Sequence, residues 1–569
     1  MKILLIFPPF WYTRLPYPSL PVLKAFLEKQ NHQVILLDFN LVIEEWILHN
    51  NNLDIFFEII QPLLEELFTK ISNPTKMTLS NYIDQEYISL SQTRLAKKFL
   101  RQKSNYHKNH KKPFDIQYYM EVYLNFSQHI ESFFTYYIYS YYDLYKSKDI
   151  SILTTDYHRN LLLHIAEKFM LQKFIEIKPD IIGFSLIFQG QLVSTFTLAS
   201  LLKKYIPDTH ITIGGPYLSR LLPRNLKKLG SLFKFIDSII LGEGEIPLSN
   251  LSNTLSSGKK DFSNINNLVF FKKDEVIVNK FSSNDINLND LPCPDYDGLP
   301  LYKYLSPYPI LSIQTSRNCY WGRCVYCNEV NLKDKYREKH AEFVVNDMYY
   351  LKNKFNDAIF LFADDATSPS QCENISNLIL ERKINVRWFT EIRAEPLFSK
   401  KLCELMYLAG ARAVQIGLES INNRVLKLTN KGTNVEIFPQ IIKNFSDTNI
   451  LINLFLMAFP GETKEELLNT YDFIEKNLNI IHSFDFNYTT TLFVNTPMWK
   501  NPSKFSLKLN THPQRDINII EDYKYICENY NNYYYDLLEI KAKFNKLLDK
   551  IRNTRNDFFI ETILRCIRF

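Results

Sequence analysis

Twice along the chain, short apolar runs alternate with segments whose apolar residues recur at helical spacing, and this alternation restricts the fold more than any other feature. In the first forty residues KILLIF leads into PSLPVLKAFLEKQ and then into HQVILLDF, which ends at Asp38, so the opening reads as a β-α-β unit. The same alternation resumes at PDIIGFSLIF, passes through TFTLASLLKKY to HITIGG, and closes at FIDSIILGEGE. Runs this continuously apolar, separated by helices, belong to strands covered on both faces, the signature of a parallel sheet with helical crossovers. Five such strands predict an α/β fold, a doubly wound parallel sheet over 1–40 and 178–260. Between its halves, 41–177 is rich in Tyr and Phe and lacks strand-like runs. It reads as a helical insertion, with the basic patch from Lys103 to Lys112 as a solvated loop.

A second βα series starts after Pro309: ILSIQTS, DAIFLFADD, VRWFTEIRAE, AVQIGLES, LINLFLMAFPGE and FDFNYTTTLF, with helical segments between. Six strands with crossovers predict a partial (β/α)6 TIM-like barrel over 309–505. The intervening 261–308, ending in LPCPDYDGLP, reads as a small hairpin and an extended linker, and 506–569 as a helical, aromatic tail. Lys plus Arg number 67 against 61 Asp plus Glu, and a net charge of +6 over 569 residues is no electrostatic footprint for nucleic acid. No charge-free apolar run of about 18 residues occurs, and the start MKILLIFPPFW breaks at a Pro-Pro pair too early for a signal peptide. The expectation is a cytoplasmic protein with neither a nucleic-acid nor a membrane partner.

Three of the eight cysteines, Cys319, Cys324 and Cys327, fall in the single stretch NCYWGRCVYC, which reads as a ligand cluster and not as a disulfide framework. The Cys-x4-Cys-x2-Cys spacing follows the first barrel strand, on the edge where barrel active sites are built. Three thiolates suit a [4Fe–4S] cluster with one iron left open to an exogenous ligand. Zinc also accepts thiolates, but it usually takes a fourth Cys or His nearby, and none lies between Cys327 and His340. Unligated loop cysteines are the remaining reading. Cys293, Cys372, Cys403, Cys527 and Cys566 are scattered and read as ordinary thiols.

With these motifs the sequence resembles the radical SAM superfamily, and within it the cobalamin-binding branch in which a B12-binding domain precedes the barrel, over roughly 1–40 and 178–500. CYWGRCVYC has one residue more than the superfamily's common Cys-x3-Cys-x2-Cys and is similar to branch members with a Trp-Gly-Arg insert. The resemblance implies that Cys319, Cys324 and Cys327 hold the catalytic cluster, whose open iron binds S-adenosylmethionine for reductive cleavage to a 5′-deoxyadenosyl radical. It implies Tyr326 near the adenine, Asp364 and Asp365 of FADDA at the amino group, and Arg393 of TEIRAEP on the carboxylate, with Glu391 on the same strand face. Glu419 and Ser420 of GLES would meet the ribose or carboxylate. In FPGET, Gly461 would admit the adenine to the backbone, while Glu462 and Thr463 are open to a simple capping role. PPFW, IGGP (Gly214, Gly215) and LGEGE (Gly242, Glu243, Gly244) follow strands of the first sheet and imply cobalamin lying against the backbone there. Asp208, His210 and Gly214 are superficially similar to the Asp-x-His-x-x-Gly of cobalamin mutases. The spacing is one residue too long and enters a strand instead of leaving one, so His210 is rejected as a cobalt ligand.

The resemblance thus implies a cobalamin-dependent radical SAM C-methyltransferase acting on a peptide or small natural product, supplied with electrons by a donor such as flavodoxin or ferredoxin. The alternatives are a cyclase or ring-rearranging enzyme using the same cofactors, a sheet that no longer binds cobalamin, and a non-catalytic iron–sulfur module. Methylthiotransferases carry three further N-terminal cluster cysteines, whereas Cys293 alone precedes Cys319 here.

Overall fold

The N-terminal apolar run becomes strand β1 (Lys2–Phe7), buried from Ile3 onward. The computed structural model describes residues 1–47, 150–509 and 525–554, less short stretches within them, and divides into two units. Met1–Ile286 with Leu291–Pro307 make the first, and Tyr308–Pro513 make most of the second. In the first unit β1 is followed by α1 (Ser19–Lys29), β2 (Gln33–Asp38) and α2 (Phe39–Ile47). Then come α3 (Leu161–Phe169), α4 (Leu171–Ile177), β3 (Ile181–Ser185), α5 (Leu192–Tyr205), β4 (His210–Gly214), β5 (Ser238–Ile240) and α6 (Glu245–Ser256). The first five strands run parallel in the order β2-β1-β3-β4-β5, the flavodoxin-like doubly wound order, whose switch point lies between β1 and β3.

The hairpin expected within a linker over 261–308 extends this sheet instead. Strand β6 (Leu268–Lys272) pairs antiparallel with β5, and β7 (Glu275–Val278) pairs with β6. Leu268, Val269 and Phe270 are buried, so the hairpin covers an edge of β5 that would otherwise leave a row of backbone groups unpaired. Of the insertion expected over 41–177, helices α2, α3 and α4 are described. Residues 48–149, with the patch from Lys103 to Lys112, lie outside the described residues.

The second unit begins with β8 (Ile310–Ile313), and a short antiparallel pair, β9 (Ser316–Arg317) and β10 (Arg337–Glu338), flanks the cysteine loop. It continues α7 (Ala341–Lys354), β11 (Ile359–Phe362), α8 (Pro369–Glu381), β12 (Arg387–Arg393), α9 (Lys400–Leu408), β13 (Ala411–Glu419) and α10 (Asn423–Leu428). Next come α11 (Phe438–Asp447), β14 (Leu451–Met457), α12 (Lys464–Lys476), β15 (Ser483–Asn487) and, after the stretch at 510–524, α13 (Tyr530–Thr554). The sheet order is β8-β11-β12-β13-β14-β15 with parallel pairs throughout, so the six strands read from the sequence form one open βα array. Trp388 is fully buried within it, stacked on Phe362 at 4.8 Å with its indole N–H donating to the Ala409 carbonyl at 3.0 Å. Helix α13 packs beside the edge strand β15: Phe544 stacks on Phe486 at 4.2 Å and meets Phe484 and Tyr471 edge-on at 5.7 Å. Among the described residues no helix is long and apolar enough to cross a membrane.

Candidate active site

Asn318 takes the left-handed conformation (φ 65°) as the chain leaves β9, and its side-chain amide donates to the Lys335 carbonyl at 3.0 Å, fixing the mouth of the cysteine loop. Cys324 is buried and Cys319 and Cys327 are half-buried; the Cys327 N–H donates to the Cys324 carbonyl at 3.1 Å. Burial pushes the Cys324 thiol up, opposed by the nearby positive charges of Lys431 and Arg393, and Cys319 adds to the upward push. The phenol of Tyr326 is raised by burial and by Glu419, Cys324 and Cys327 beside it, so the three thiols share one electrostatic neighbourhood. Among the described residues no three His, Cys, Asp or Glu side chains converge on a point that could hold one metal ion. A cubane takes each thiolate on a different iron and does not ask for such convergence.

The extra residue of the Cys-x4-Cys gap has a structural role. Trp321 donates its indole N–H to the Asn430 carbonyl at 2.9 Å, and its ring lies on Gly432, where an added Cβ would fall 2.0 Å from the ring. The Arg393 guanidinium stands 4.8 Å from the same ring and Arg323 stands 5.2 Å from it. Gly432 has φ 73°, so both its backbone and its missing side chain are needed for the indole to lie flat.

Arg393 takes part in bracing the loop: its Nε donates to Glu395 at 3.2 Å, its Nη2 donates to the Lys431 carbonyl, and its face covers Trp321. Asp364 is more fully engaged. Its carboxylate accepts from the Thr315 and Ser316 N–H groups at 2.8 and 2.9 Å, from the Thr367 hydroxyl at 2.9 Å and from the Thr315 hydroxyl. Four donors on a buried carboxylate leave no site for an ammonium group, although burial still raises its pKa to about 6. Asp365, next along, is exposed and close enough to Glu391 for their charges to interact. Burial, then Asp365, Asp364 and Glu419, push the Glu391 carboxyl well above its ordinary value.

Glu419 ends β13 at φ 64°, beside a register shift, a conformation that costs a non-glycine residue roughly 1 to 2 kcal/mol. Its Oε1 accepts from Lys431 Nζ at 2.7 Å, while Oε2 is buried without a hydrogen-bond partner. An orphaned carboxylate oxygen is costly and invites a donor. Ser420 donates to Glu462 Oε1 at 2.8 Å, and Glu462 Oε2 accepts from the Phe459 N–H at 3.0 Å. Glu462 therefore ties GLES to FPGET, and burial raises its carboxyl to about 7. Thr463, by contrast, is a cap: it forms a capping box with Glu466 at the start of α12. Tyr326 meets Phe459 edge-on at 5.6 Å beside Gly461, whose φ is 85°.

In the first unit the strand-end loops surround the switch point. Trp11 of PPFW stacks on Phe188, after β3, at 3.7 Å, and the Pro8 carbonyl accepts from Gln191 at 2.7 Å. Ser219 joins the two glycine loops by donating to the Gly215 carbonyl at 2.9 Å and accepting from the Gly242 N–H at 2.8 Å. Gly215 (φ 116°) is needed by the fold itself, since a Cβ there would sit 2.3 Å from the Leu186 carbonyl oxygen. Among the described residues, an added Cβ at Gly214 would meet only Ile240, at 3.9 Å, and one at Gly244 only the Leu23 side chain, at 3.3 Å and beyond. Glu243, between Gly242 and Gly244, is half-buried. His210 opens β4 at the opposite end from these loops, beside the Ser238 hydroxyl at 2.9 Å, and burial lowers its pKa to about 4.

Lys431 and Gly432 escaped the sequence reading, as did the bracing role of Trp321. The available signal was Asn-Lys-Gly just after a helix in a chain with only 14 glycines. Residues 313–474 match the model of the Radical SAM superfamily, and this part of the chain is a radical SAM domain. An uncharacterized methyltransferase of Pyrococcus horikoshii is 25% identical over 303 residues, 52% of this chain and 64% of that protein. The anaerobic magnesium-protoporphyrin IX monomethyl ester cyclase of Rubrivivax gelatinosus is 25% identical over 316 residues, 54% of this chain and 56% of its own. The matched spans thus cover less than two thirds of these relatives. Among solved structures, the radical S-adenosylmethionine methyltransferase TsrM from Kitasatospora setae, with tryptophan and a SAM analog bound, has TM-score 0.56 at 16% identity, covering 90% of this chain and 78% of that one. The cobalamin-dependent S-adenosylmethionine radical enzyme OxsB has TM-score 0.54 at 20% identity, covering 69% and 63%. Both share the fold.

Proposed function

We propose that this chain, whose residues 313–474 form a radical SAM domain, is an enzyme that cleaves S-adenosylmethionine at a [4Fe–4S] cluster and, with cobalamin, methylates a carbon of a peptide or small natural product. The observation that carries the reading is the braced loop of Cys319, Cys324 and Cys327 at the carboxyl end of the first barrel strand, facing the orphaned oxygen of Glu419. The donor set fits the cluster, because soft thiolates suit iron and no fourth protein ligand is required. When bound, the cluster supplies the electron that breaks the carbon–sulfur bond, and cobalamin supplies the methyl group.

The chain's own residues then have separable tasks. Asp365 offers negative charge to the ammonium of the methionyl group, with the Glu391 carboxyl beside it as a hydrogen-bonding neighbour, the role that Asp364 is too fully bonded to take. Glu419 Oε2 accepts from a hydroxyl or ammonium of the same ligand. Tyr326, Phe459 and the backbone at Gly461 make a wall for the adenine, and Glu462, through Ser420, keeps that wall in register with GLES. Arg393 acts at one remove, holding Trp321 and with it the loop. Gly214, Gly242, Glu243 and Gly244 line the ends of the parallel strands, where doubly wound sheets take ligands, and that position supports cobalamin as their ligand. Methyltransferases among the similar proteins favour methyl transfer, and the similar cyclase supports ring closure as the second reading with the same residues. An electron donor of the flavodoxin or ferredoxin type completes the system.

The test is equilibrium binding of cobalamin and of S-adenosylmethionine to anaerobically reconstituted protein. Retention of both is expected. Cleavage of S-adenosylmethionine without any cobalamin binding would leave a radical SAM enzyme without a methyl carrier and overturn the methyltransferase reading.

A further inference from the structure

The turn from Thr429 to Gly432 is fastened to the cysteine loop at successive points. The Val325 N–H donates to the Thr429 carbonyl at 3.0 Å, the Asn430 amide donates to the Arg323 carbonyl at 2.9 Å, and the Trp321 indole donates to the Asn430 carbonyl while lying on Gly432. Lys431 lies within this turn, and Cys324 lies between Arg323 and Val325, two of the residues it grips. The Lys431 side chain is buried and ion-paired with buried Glu419 at 2.7 Å, and a Cβ on Gly417 would come within 3.0 Å of its ammonium.

A charge buried this way is poorly screened by salt and cannot be replaced by mobile ions. The potential of a thiolate-bound cluster depends on net charge nearby, on hydrogen bonds to sulfur and on exposure. A neighbouring cation favours the electron-rich state and an anion opposes it. We propose that Lys431 and Glu419 form an opposed pair that sets the reduction potential of the cluster, Lys431 raising it and Glu419 lowering it. The inference rests on the radical SAM reading, and both residues act in it through the cluster and not on the reacting atoms.

The experiment is a redox titration of the reconstituted protein without S-adenosylmethionine, followed by electron paramagnetic resonance, in wild type, Lys431→Met, Glu419→Gln and Lys431→Arg. Lys431→Met should move the midpoint to lower potential and Glu419→Gln to higher potential, each by on the order of tenfold in the reduction equilibrium, 59 mV for one electron. Lys431→Arg keeps the charge and should stay near wild type. Opposite signs separate charge from damage, because a loosened loop that admits water would move both variants the same way. Clusters that assemble in both variants but do not move, or move in one direction, overturn the inference. If Lys431→Met holds no cluster, a Glu419→Gln midpoint that fails to rise overturns it equally. A wild-type chain that assembles no cluster overturns the radical SAM reading instead.

Discussion

Replacing Gly432 by Ala should unfasten the cysteine loop while sparing the barrel. The new Cβ would lie 2.0, 2.3 and 2.6 Å from three atoms of the Trp321 ring, and residue 432 sits at φ 73°. A left-handed alanine costs about 1 to 2 kcal/mol. Expelling the ring forfeits its N–H bond to Asn430, worth about 1 kcal/mol, and its contacts with Arg393 and Arg323, worth roughly 0.5 to 1 kcal/mol each. The total, about 3 to 5 kcal/mol, is enough to open a loop but less than the stability of most domains. Gly258→Ala is the matched control, since Gly258 has φ 72° and, among the described residues, nothing within 4 Å of an added Cβ. Iron per chain after anaerobic reconstitution and denaturant unfolding should be measured in both. Gly432→Ala should lose iron and unfold earlier, whereas Gly258→Ala should show only the backbone cost with its iron intact. Equal behaviour of the two variants would refute the steric reasoning.

Glu462 gives a pH signature. Its carboxyl is held at about 7, above the ordinary 4.5, so between these values the native state keeps a proton that the unfolded chain has released. Stability should therefore fall as pH rises through that window, by on the order of 3 kcal/mol, and Glu462→Gln should flatten the slope in unfolding curves; an unchanged slope would mean that Glu462 is not the group responsible. Gly214→Val, with Ile240 as its only near neighbour among the described residues, should leave the first unit folded and weaken cobalamin binding. Gly215→Val, pressed against the Leu186 carbonyl, should unfold the unit, and circular dichroism with a cobalamin titration distinguishes the two. Thr463→Ala should cost about 1 kcal/mol through loss of the capping box, read from unfolding, without affecting iron content.

Both βα series were legible because a strand buried on two faces must be written as an unbroken apolar run, as in KILLIF and AIFLF, and the intervening helices then force parallel pairing. The hairpin at β6 and β7 was legible as local structure but not as part of the sheet, since edge-to-edge pairing leaves no periodicity of its own. Within the site, Cys319, Cys324 and Cys327 stand out by spacing alone. Asp364 and Arg393 sit at strand ends where functional carboxylates and guanidiniums belong, yet Thr315, Ser316 and Thr367 claim the first, and Glu395 with the Lys431 carbonyl engages two donors of the second. Such claims come from residues far off in sequence, and residue type does not announce them. Lys431 was hidden for the same reason: its partners, Glu419 and the loop at Cys324, meet it only once β13 and α10 have brought the turn back over β8's loop.

The most direct test is the yield of 5′-deoxyadenosine from S-adenosylmethionine when anaerobically reconstituted protein is reduced, compared between wild type and the variant with Cys319, Cys324 and Cys327 all replaced by Ala. Wild type should hold a single cubane and form 5′-deoxyadenosine, and the triple variant should lose both the iron and the product. Product formation by the triple variant, or a wild-type protein that holds its cubane yet never cleaves S-adenosylmethionine under reduction, would contradict the assignment of this loop as the catalytic centre.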